Sequence, residues 1–344
     1  MEVSSSPTRK RIKFETMVTQ VVSLARVELL QSLAAGEIQL AFQPQVDLAT
    51  KAIVAFEGVA RWHHPKLGQL SPGLFFSLAA KEGLMGVISR TLGAQAARAV
   101  HTWRNHGYKI DIAINVGITD VMDPTFGKDL HDCVASEGAR PEWMILEIDE
   151  EELVCTGAQG LACLEILAGY GFRVALDAKG PPSLALDKRA RSLFCQLKCG
   201  GPTMLAVASR LHTVGASAFM RRIQAAQAAG MPVVAVGAES AKAIRQCYQI
   251  GFTRLQGHFI APPLSFQVAS EMLLEQPSGL DDSPESYGPE SCGPDSELAS
   301  EGKSADLSPE IVATTTLEVT SHRPLQLFSL EDVAEPEQHN SEAA

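Results

Sequence analysis

Glu57 and Arg61 stand four residues apart in Phe56-Glu57-Gly58-Val59-Ala60-Arg61-Trp62, near the end of an otherwise apolar, strand-like run that begins at Ile53. Residues two or four apart on an extended strand share a face, so Glu57, Val59 and Arg61 point the same way. An acid and a guanidinium on one apolar face form either a structural ion pair or the rim of a site for a charged ligand. Further along, polar residues recur at the ends of apolar segments: Asn115, Glu147 and Glu150, Asp177, Lys198, and Gln256. Three carboxylates and an amide oxygen from four segments, brought to one mouth, suit a hard divalent cation such as Mg²⁺. Other chemistry is poorly supplied. Ser183 and Ser192 have no partnered His and acid pattern, and His63-His64-Pro65 reads as a surface turn.

The elements that must hold these residues alternate. Apolar spacing predicts a helix over residues 16–35, strands over 38–46 and 52–62, a helix opened by Ser71-Pro72 with Ser71 as N-cap, and a longer helix over 86–106. Strands are then expected at 109–116, 143–149, 173–177, 193–197, 232–236 and 254–260. Helices are expected at 125–136, 158–170, 204–229 and 240–250. Repeated strand–helix units of this length indicate an α/β fold with a parallel sheet covered by helices. Eight strands suffice to close a barrel, and no GxGxxG turn supports the competing doubly wound sheet. In such a barrel these polar residues fall at the carboxyl ends of the strands, where active sites lie.

Bulk properties narrow the function classes. The 344-residue chain is 45% hydrophobic and carries a formal charge of −11. Residues 276–344 hold 15 of the 40 acids and 2 of the 29 Lys and Arg, which leaves 25 acids against 27 bases in residues 1–275. The expected folded part is therefore near neutral, and Arg9-Lys10-Arg11 is too short a basic run to indicate nucleic-acid binding. Residues 1–15 read as a basic flexible segment, 16–275 as the domain, and 276–344, rich in Pro, Ser, Gly and acids, as a disordered acidic tail. Pro324-Leu325-Gln326-Leu327-Phe328 is an apolar interruption of that tail. Seven cysteines without a CxxC pair read as free thiols of a cytoplasmic protein. No apolar run reaches the ~18–20 residues of a membrane span.

Taken in order, the motifs resemble the EAL domain, the family of bacterial cyclic di-GMP phosphodiesterases. Glu57-Gly58-Val59 stands where the family has Glu-Ala-Leu, and Phe42-Gln43-Pro44 where it has Tyr-Gln-Pro. Ser71-Pro72-Gly73-Leu74-Phe75, Ala113-Ile114-Asn115, Leu146-Glu147-Ile148-Asp149-Glu150, Val174-Ala175-Leu176-Asp177, Gln256-Gly257 and Pro263-Leu264 follow the family order. The resemblance implies a TIM-like barrel whose first strand runs antiparallel to the rest. It implies Glu57, Asn115, Glu147 and Asp177 as the ligands of one metal, Mg²⁺ or Mn²⁺. It also implies Lys198 as a remnant of the catalytic set, Glu150 as a remnant that positions a loop, and Gln43, Arg61, Glu239, Gln256 and Pro263 as ligand-binding residues.

The departures carry as much information. The family's Asp-Asp-Phe-Gly is Asp177-Ala178-Lys179-Gly180, its Leu-Lys-Ile-Asp is Leu197-Lys198-Cys199-Gly200, and its Ala-Glu-Gly-Val-Glu is Ala235-Val236-Gly237-Ala238-Glu239. Pro181-Pro182 replaces a flexible segment. Ala178, Gly200 and Val236 thus remove acids that the resemblance places around a second metal and the attacking water, and two-metal hydrolysis depends on both ions. The expectation is a degenerate regulatory member that needs no cofactor and binds cyclic di-GMP, a regulatory protein, or both. Arg61 would take a phosphate, and a homodimer is in keeping with the family. The alternative is a residual phosphodiesterase that yields the linear dinucleotide pGpG, with Asp149, Glu151 or Asp187 replacing the lost acids.

Overall fold

The computed structural model describes residues 26–180, 183–185, 187–200, 214–237 and 239–276. The basic N-terminal segment, Pro181-Pro182, the start of the helix expected from residue 204, and the acidic tail from residue 277 with its apolar patch all lie outside the described residues.

Helix α1 (Arg26–Ala34) leads into β1 (Ile38–Asp47) and β2 (Ile53–His64), which pair antiparallel from Ile38↔Trp62 to Val46↔Ile53. Strand β3 (Gly68–Leu70) folds back on the end of β2. Helices α2 (Pro72–Lys81) and α3 (Met85–Asn105) cross to β4 (Asp111–Asn115). After it come α4 (Ile118–Val121), α5 (Phe126–Ser136), β5 (Met144–Asp149), α6 (Glu150–Gly169), β6 (Arg173–Ala178), α7 (Lys188–Leu193) and β7 (Phe194–Cys199). The chain closes with α8 (Val214–Ala228), β8 (Val233–Val236), α9 (Ala241–Ile250), β9 (Arg254–Gln256) and α10 (Phe266–Leu274).

The sheet order β1-β9-β8-β7-β6-β5-β4-β2, completed by the β1–β2 pairing, closes an eight-stranded barrel, with β3 attached outside the ring. β1 is antiparallel to both its neighbours, and the other six pairings in the ring are parallel. The expected barrel with an antiparallel first strand is thus the observed fold. Its outer face packs against the helices through an aromatic group in which Trp103 stacks on Phe266 at 5.3 Å and meets Phe42 edge-on at 5.2 Å. Trp103 Nε1 donates to Ser270 Oγ at 2.8 Å, so the indole is both buried and hydrogen-bonded. Inside the barrel a separate small cluster of Ala113, Ile145 and Ala175 leaves little bulk beneath the mouth.

Several boundaries differ from the sequence reading. β2 runs on to His64 because β3 pairs with it, so His63 and His64 belong to a hairpin strand and not to a surface turn. His64 is buried, with Nε2 3.1 Å from Glu28 Oε1 and Nδ1 accepting the Lys66 and Leu67 N–H groups. Ser71 occupies the N-cap of α2 with no side-chain bond, and the helix start rests on Pro72. α6 begins eight residues before the apolar spacing suggests. Asp149 caps its first turn, and Gly157, at φ 59°, joins two helical pieces. By length and composition α6 could cross a membrane; in this fold it is the crossover between the neighbouring parallel strands β5 and β6.

Candidate ligand site at the barrel mouth

Adjacent strands deliver the polar residues in register. Asn115 pairs with Glu147, Asp149 with Asp177, and Asp177 with Lys198. Along β2, Glu57, Val59 and Arg61 are half-buried while Gly58, Ala60 and Trp62 are buried, as alternation requires. Gly58 fits because Leu40 comes so close that an added Cβ would lie 3.0 Å from it.

Lys198 is the centre of the site. Its side chain is 3% exposed, and Nζ donates to Glu57 Oε2 at 2.8 Å and Glu147 Oε2 at 2.5 Å. Glu57 also accepts from Asn115 Nδ2 at 2.7 Å and Gln256 Nε2 at 2.5 Å. Gln256 is buried and shares Nε2 with Gln43 Oε1 at 3.1 Å, while Gln43 Nε2 donates to the Ala261 carbonyl at 3.1 Å. Phe42 bridges to Leu264, which fixes the Pro263 segment beside β1.

The electrostatics follow from this wiring. Burial alone would raise the Glu57 carboxyl, but the Lys198 charge and hydrogen bonds from Lys198, Gln256 and Asn115 outweigh it and hold Glu57 at about 2. Glu147 goes the other way, pushed up to about 8 by burial and then by the neighbouring Glu57 charge, against the pull of Lys198. Its Oε1 is buried and has no hydrogen-bond partner among the described residues.

A second lysine does similar work nearer the surface. Lys179 Nζ lies 2.9 Å from Asp149 Oδ2 and 3.1 Å from Asp177 Oδ2. Asp149 Oδ1 meanwhile caps α6 through the Glu151 and Glu152 N–H groups. Lys179 was not among the site residues expected from sequence. The available signal was its i, i+2 spacing from Asp177, which in an extended segment running on from β6 puts both on one side.

The outcome for the other residues is mixed. Arg61 makes no ion pair with Glu57. Its guanidinium donates to the Ala60 carbonyl at 3.0 Å and makes no ion pair among the described residues, although the Glu57 charge on the same strand face still acts on it. Glu150 is buried and ties down the following loop, accepting the Ser183 and Leu184 N–H groups on Oε1 and Arg222 Nη1, at 2.7 Å, on Oε2. Arg222, on α8, went unseen in the sequence reading. Glu239 is exposed in the loop before α9 and joins none of these contacts. Asp187 caps α7, so it has a local task away from the cluster. Glu151 is exposed in the first turn of α6.

Whether these residues could hold the metal ions implied by the resemblance can be tested on the donors present. Glu57, Asn115, Glu147 and Asp177 line one mouth, but Lys198 stands between the first and third, and Asn115 turns a donor toward Glu57. Among the described residues no three of His, Cys, Asp and Glu gather to hold a metal ion. At the second position Ala178 offers no donor. A Cβ at Gly200 would meet Val236 Cβ at 3.2 Å, so those two strand ends have closed on each other. As arranged, the residues do not fit a metal pair. Beside the cluster opens a cavity of about 490 Å³ lined mainly by apolar groups, including Leu40, Phe76, Met85 and Leu92, with Asn115 and Lys179 on its polar wall.

Comparison with known proteins gives a family match over residues 26–263, to the EAL domain. An uncharacterised protein of Mycobacterium tuberculosis is 30% identical over 168 residues, which are 48% of this chain and 55% of that protein. The chain thus spans about half the length of that relative. The cyclic di-GMP phosphodiesterase RocR of Pseudomonas aeruginosa is 24% identical over 259 residues, 75% of this chain and 65% of RocR. Among solved structures, the PaMucR phosphodiesterase in complex with cyclic di-GMP superposes with a TM-score of 0.64 at 23% identity, covering 73% of this chain and 99% of that one. The Xanthomonas citri FimX EAL domain in complex with cyclic di-GMP gives 0.58 at 20% identity, covering 73% and 95%. At these identities the structural likenesses show the fold.

Proposed function

The chain belongs to the EAL domain family, and from that premise we propose that it is a catalytically silent member that acts in cyclic di-GMP signalling by binding the nucleotide. Arg61 takes a phosphate, Gln43 and Pro263 border the bases, and Gln256 holds Gln43 and Glu57 in place from behind. The observation that carries this reading is the contrast at the mouth. Among the described residues Arg61 makes no ion pair, whereas Glu57, Glu147, Asp149 and Asp177 are each held by a lysine. A guanidinium that no described carboxylate holds in an ion pair suits bidentate phosphate contact. The solved relatives that carry cyclic di-GMP support the choice of ligand.

Silence follows from what the mouth lacks. Hydrolysis of a phosphodiester by two metals needs acids for both ions, to activate water and to stabilise the in-line displacement. Ala178, Gly200 and Val236 supply none. Loss of one such electrostatic element costs ~10²–10³ in rate, and three are gone. The candidate replacement acids Asp149 and Asp187 are committed to helix caps. Free cysteines and a cyclic dinucleotide ligand fit work in the cytoplasm.

Calorimetric titration of the full chain with cyclic di-GMP tests the reading. Saturable heat is expected, weakened about tenfold or more in Arg61→Ala, the scale of one charge-assisted contact. A folded sample that gives no heat would overturn it and leave a protein-docking role for the barrel surface.

A further inference from the structure

Two lysines of opposite exposure divide the four mouth carboxylates between them. Lys198 is 3% exposed and bridges Glu57 and Glu147; Lys179 is 60% exposed and bridges Asp149 and Asp177. Asp149 and Asp177 face each other directly across paired parallel strands, an arrangement of like charges that is unfavourable without a cation between them. Such a pair ordinarily invites a divalent ion, whose ligands are carboxylate oxygens. Here the chain supplies the cation itself. An ammonium has three N–H groups. Lys179 donates to Asp149 and pairs with Asp177, which leaves donor capacity over, and the residue also lines the cavity together with Asn115.

Resting on the reading that this mouth takes cyclic di-GMP, we propose that Lys179 is a resident cation at the site. It stands on Asp149 and Asp177 in place of a metal ion, turns its remaining N–H to a phosphate of the ligand, and makes binding independent of Mg²⁺ or Mn²⁺. Three features support this. The ammonium neutralises acids that would otherwise repel an anionic ligand. Its exposure leaves it reachable from solvent, unlike Lys198. It also has a fixed position, because two carboxylates on different strands hold it, so little side-chain freedom remains to be lost on binding.

The test is titration of the full chain with cyclic di-GMP in EDTA, in Mg²⁺ and in Mn²⁺, using the native chain, Lys179→Met and Lys179→Arg. The native chain is expected to bind equally in all three. Lys179→Met should lose about tenfold in EDTA and recover part of this in Mg²⁺ or Mn²⁺, because two freed carboxylates can then take an ion. Lys179→Arg should keep most of the affinity. Lys179→Met removes the cation between two facing carboxylates and should unfold somewhat earlier than the native chain and Lys179→Arg, so binding is compared at a temperature where all three are fully folded, which separates lost contact from lost fold. Native binding that appears only with a divalent ion, or Lys179→Met binding as well as the native chain in EDTA, would overturn the proposal. A native chain that binds in none of the three conditions would instead overturn the nucleotide-binding reading beneath it.

Discussion

Glu57 and Glu147 lie on strands separated by β4, yet one ammonium, that of Lys198, joins them across the barrel mouth at 2.8 and 2.5 Å. The contact reaches over 141 residues of chain to Glu57 and 51 to Glu147. It draws both acids downward, enough to hold Glu57 at about 2 but not enough to offset burial and the Glu57 charge at Glu147, and several expectations follow from it.

Lys198→Met removes the shared partner and leaves two buried acids uncompensated. Breaking a buried pair in this way costs about 3–5 kcal/mol, so the denaturant midpoint should fall well below that of the native chain. The double variant Lys198→Met/Glu147→Gln should lose about as much at neutral pH, since Glu147 already keeps its proton there and the stranded charge is that of Glu57. A single variant as stable as the native chain would show that the ammonium does not hold the mouth together.

Stability should peak in mildly acidic solution. Glu57 is held at about 2 against an ordinary 4.5, so its contribution is complete above 4.5 and is lost as pH falls toward 2. Glu147 is raised from 4.5 to about 8, so the folded state keeps a proton that the unfolded chain releases, and stability declines as pH rises from 4.5 to 8. Lys198 is raised above its ordinary 10.5, so its contribution is constant over this whole window. Thermal unfolding midpoints across this range should trace a maximum near the ordinary carboxylate value, and Glu147→Gln should flatten the alkaline limb alone. A profile that rises steadily to pH 8 would contradict the opposed shifts.

The loop after β6 should depend on Arg222. Glu150 holds the Ser183 and Leu184 amides with one oxygen and Arg222 with the other, all in a buried setting. Arg222→Met strands the carboxylate, at a cost of about 3–5 kcal/mol. Hydrogen exchange at the Ser183 and Leu184 amides should quicken in this variant beyond any global change. Protection there equal to the native chain's would assign the loop's order to other contacts.

How much of this was legible in the sequence depended on the distance over which each signal acts. The strand–helix alternation and motif order carried the barrel, because each unit is local in sequence. Alternation along β2 correctly placed Glu57 and Arg61 on one face. It could not say that they stay apart, since the competitor for Glu57 arrives from β7 on the other side of the mouth. The β3 hairpin was missed because Gly68–Leu70 is three residues long, too short for any period to show. α6 began early because a cap at Asp149, and not apolar spacing, starts it. Lys179 and Arg222 were missed for a shared reason. Asp149 and Glu150 are 30 and 72 residues away, and only the closed sheet makes them neighbours; Lys179's other partner, Asp177, is local but does not by itself mark a site.

Binding without hydrolysis is the central claim, and one measurement addresses both halves. The full chain is dialysed to equilibrium against cyclic di-GMP with Mg²⁺ and Mn²⁺ present, and the nucleotide on each side of the membrane is resolved by chromatography. The account expects cyclic di-GMP to concentrate on the protein side and to be recovered intact. Accumulation of the linear dinucleotide would contradict the claim of silence, and equal concentrations on the two sides would contradict the claim of binding.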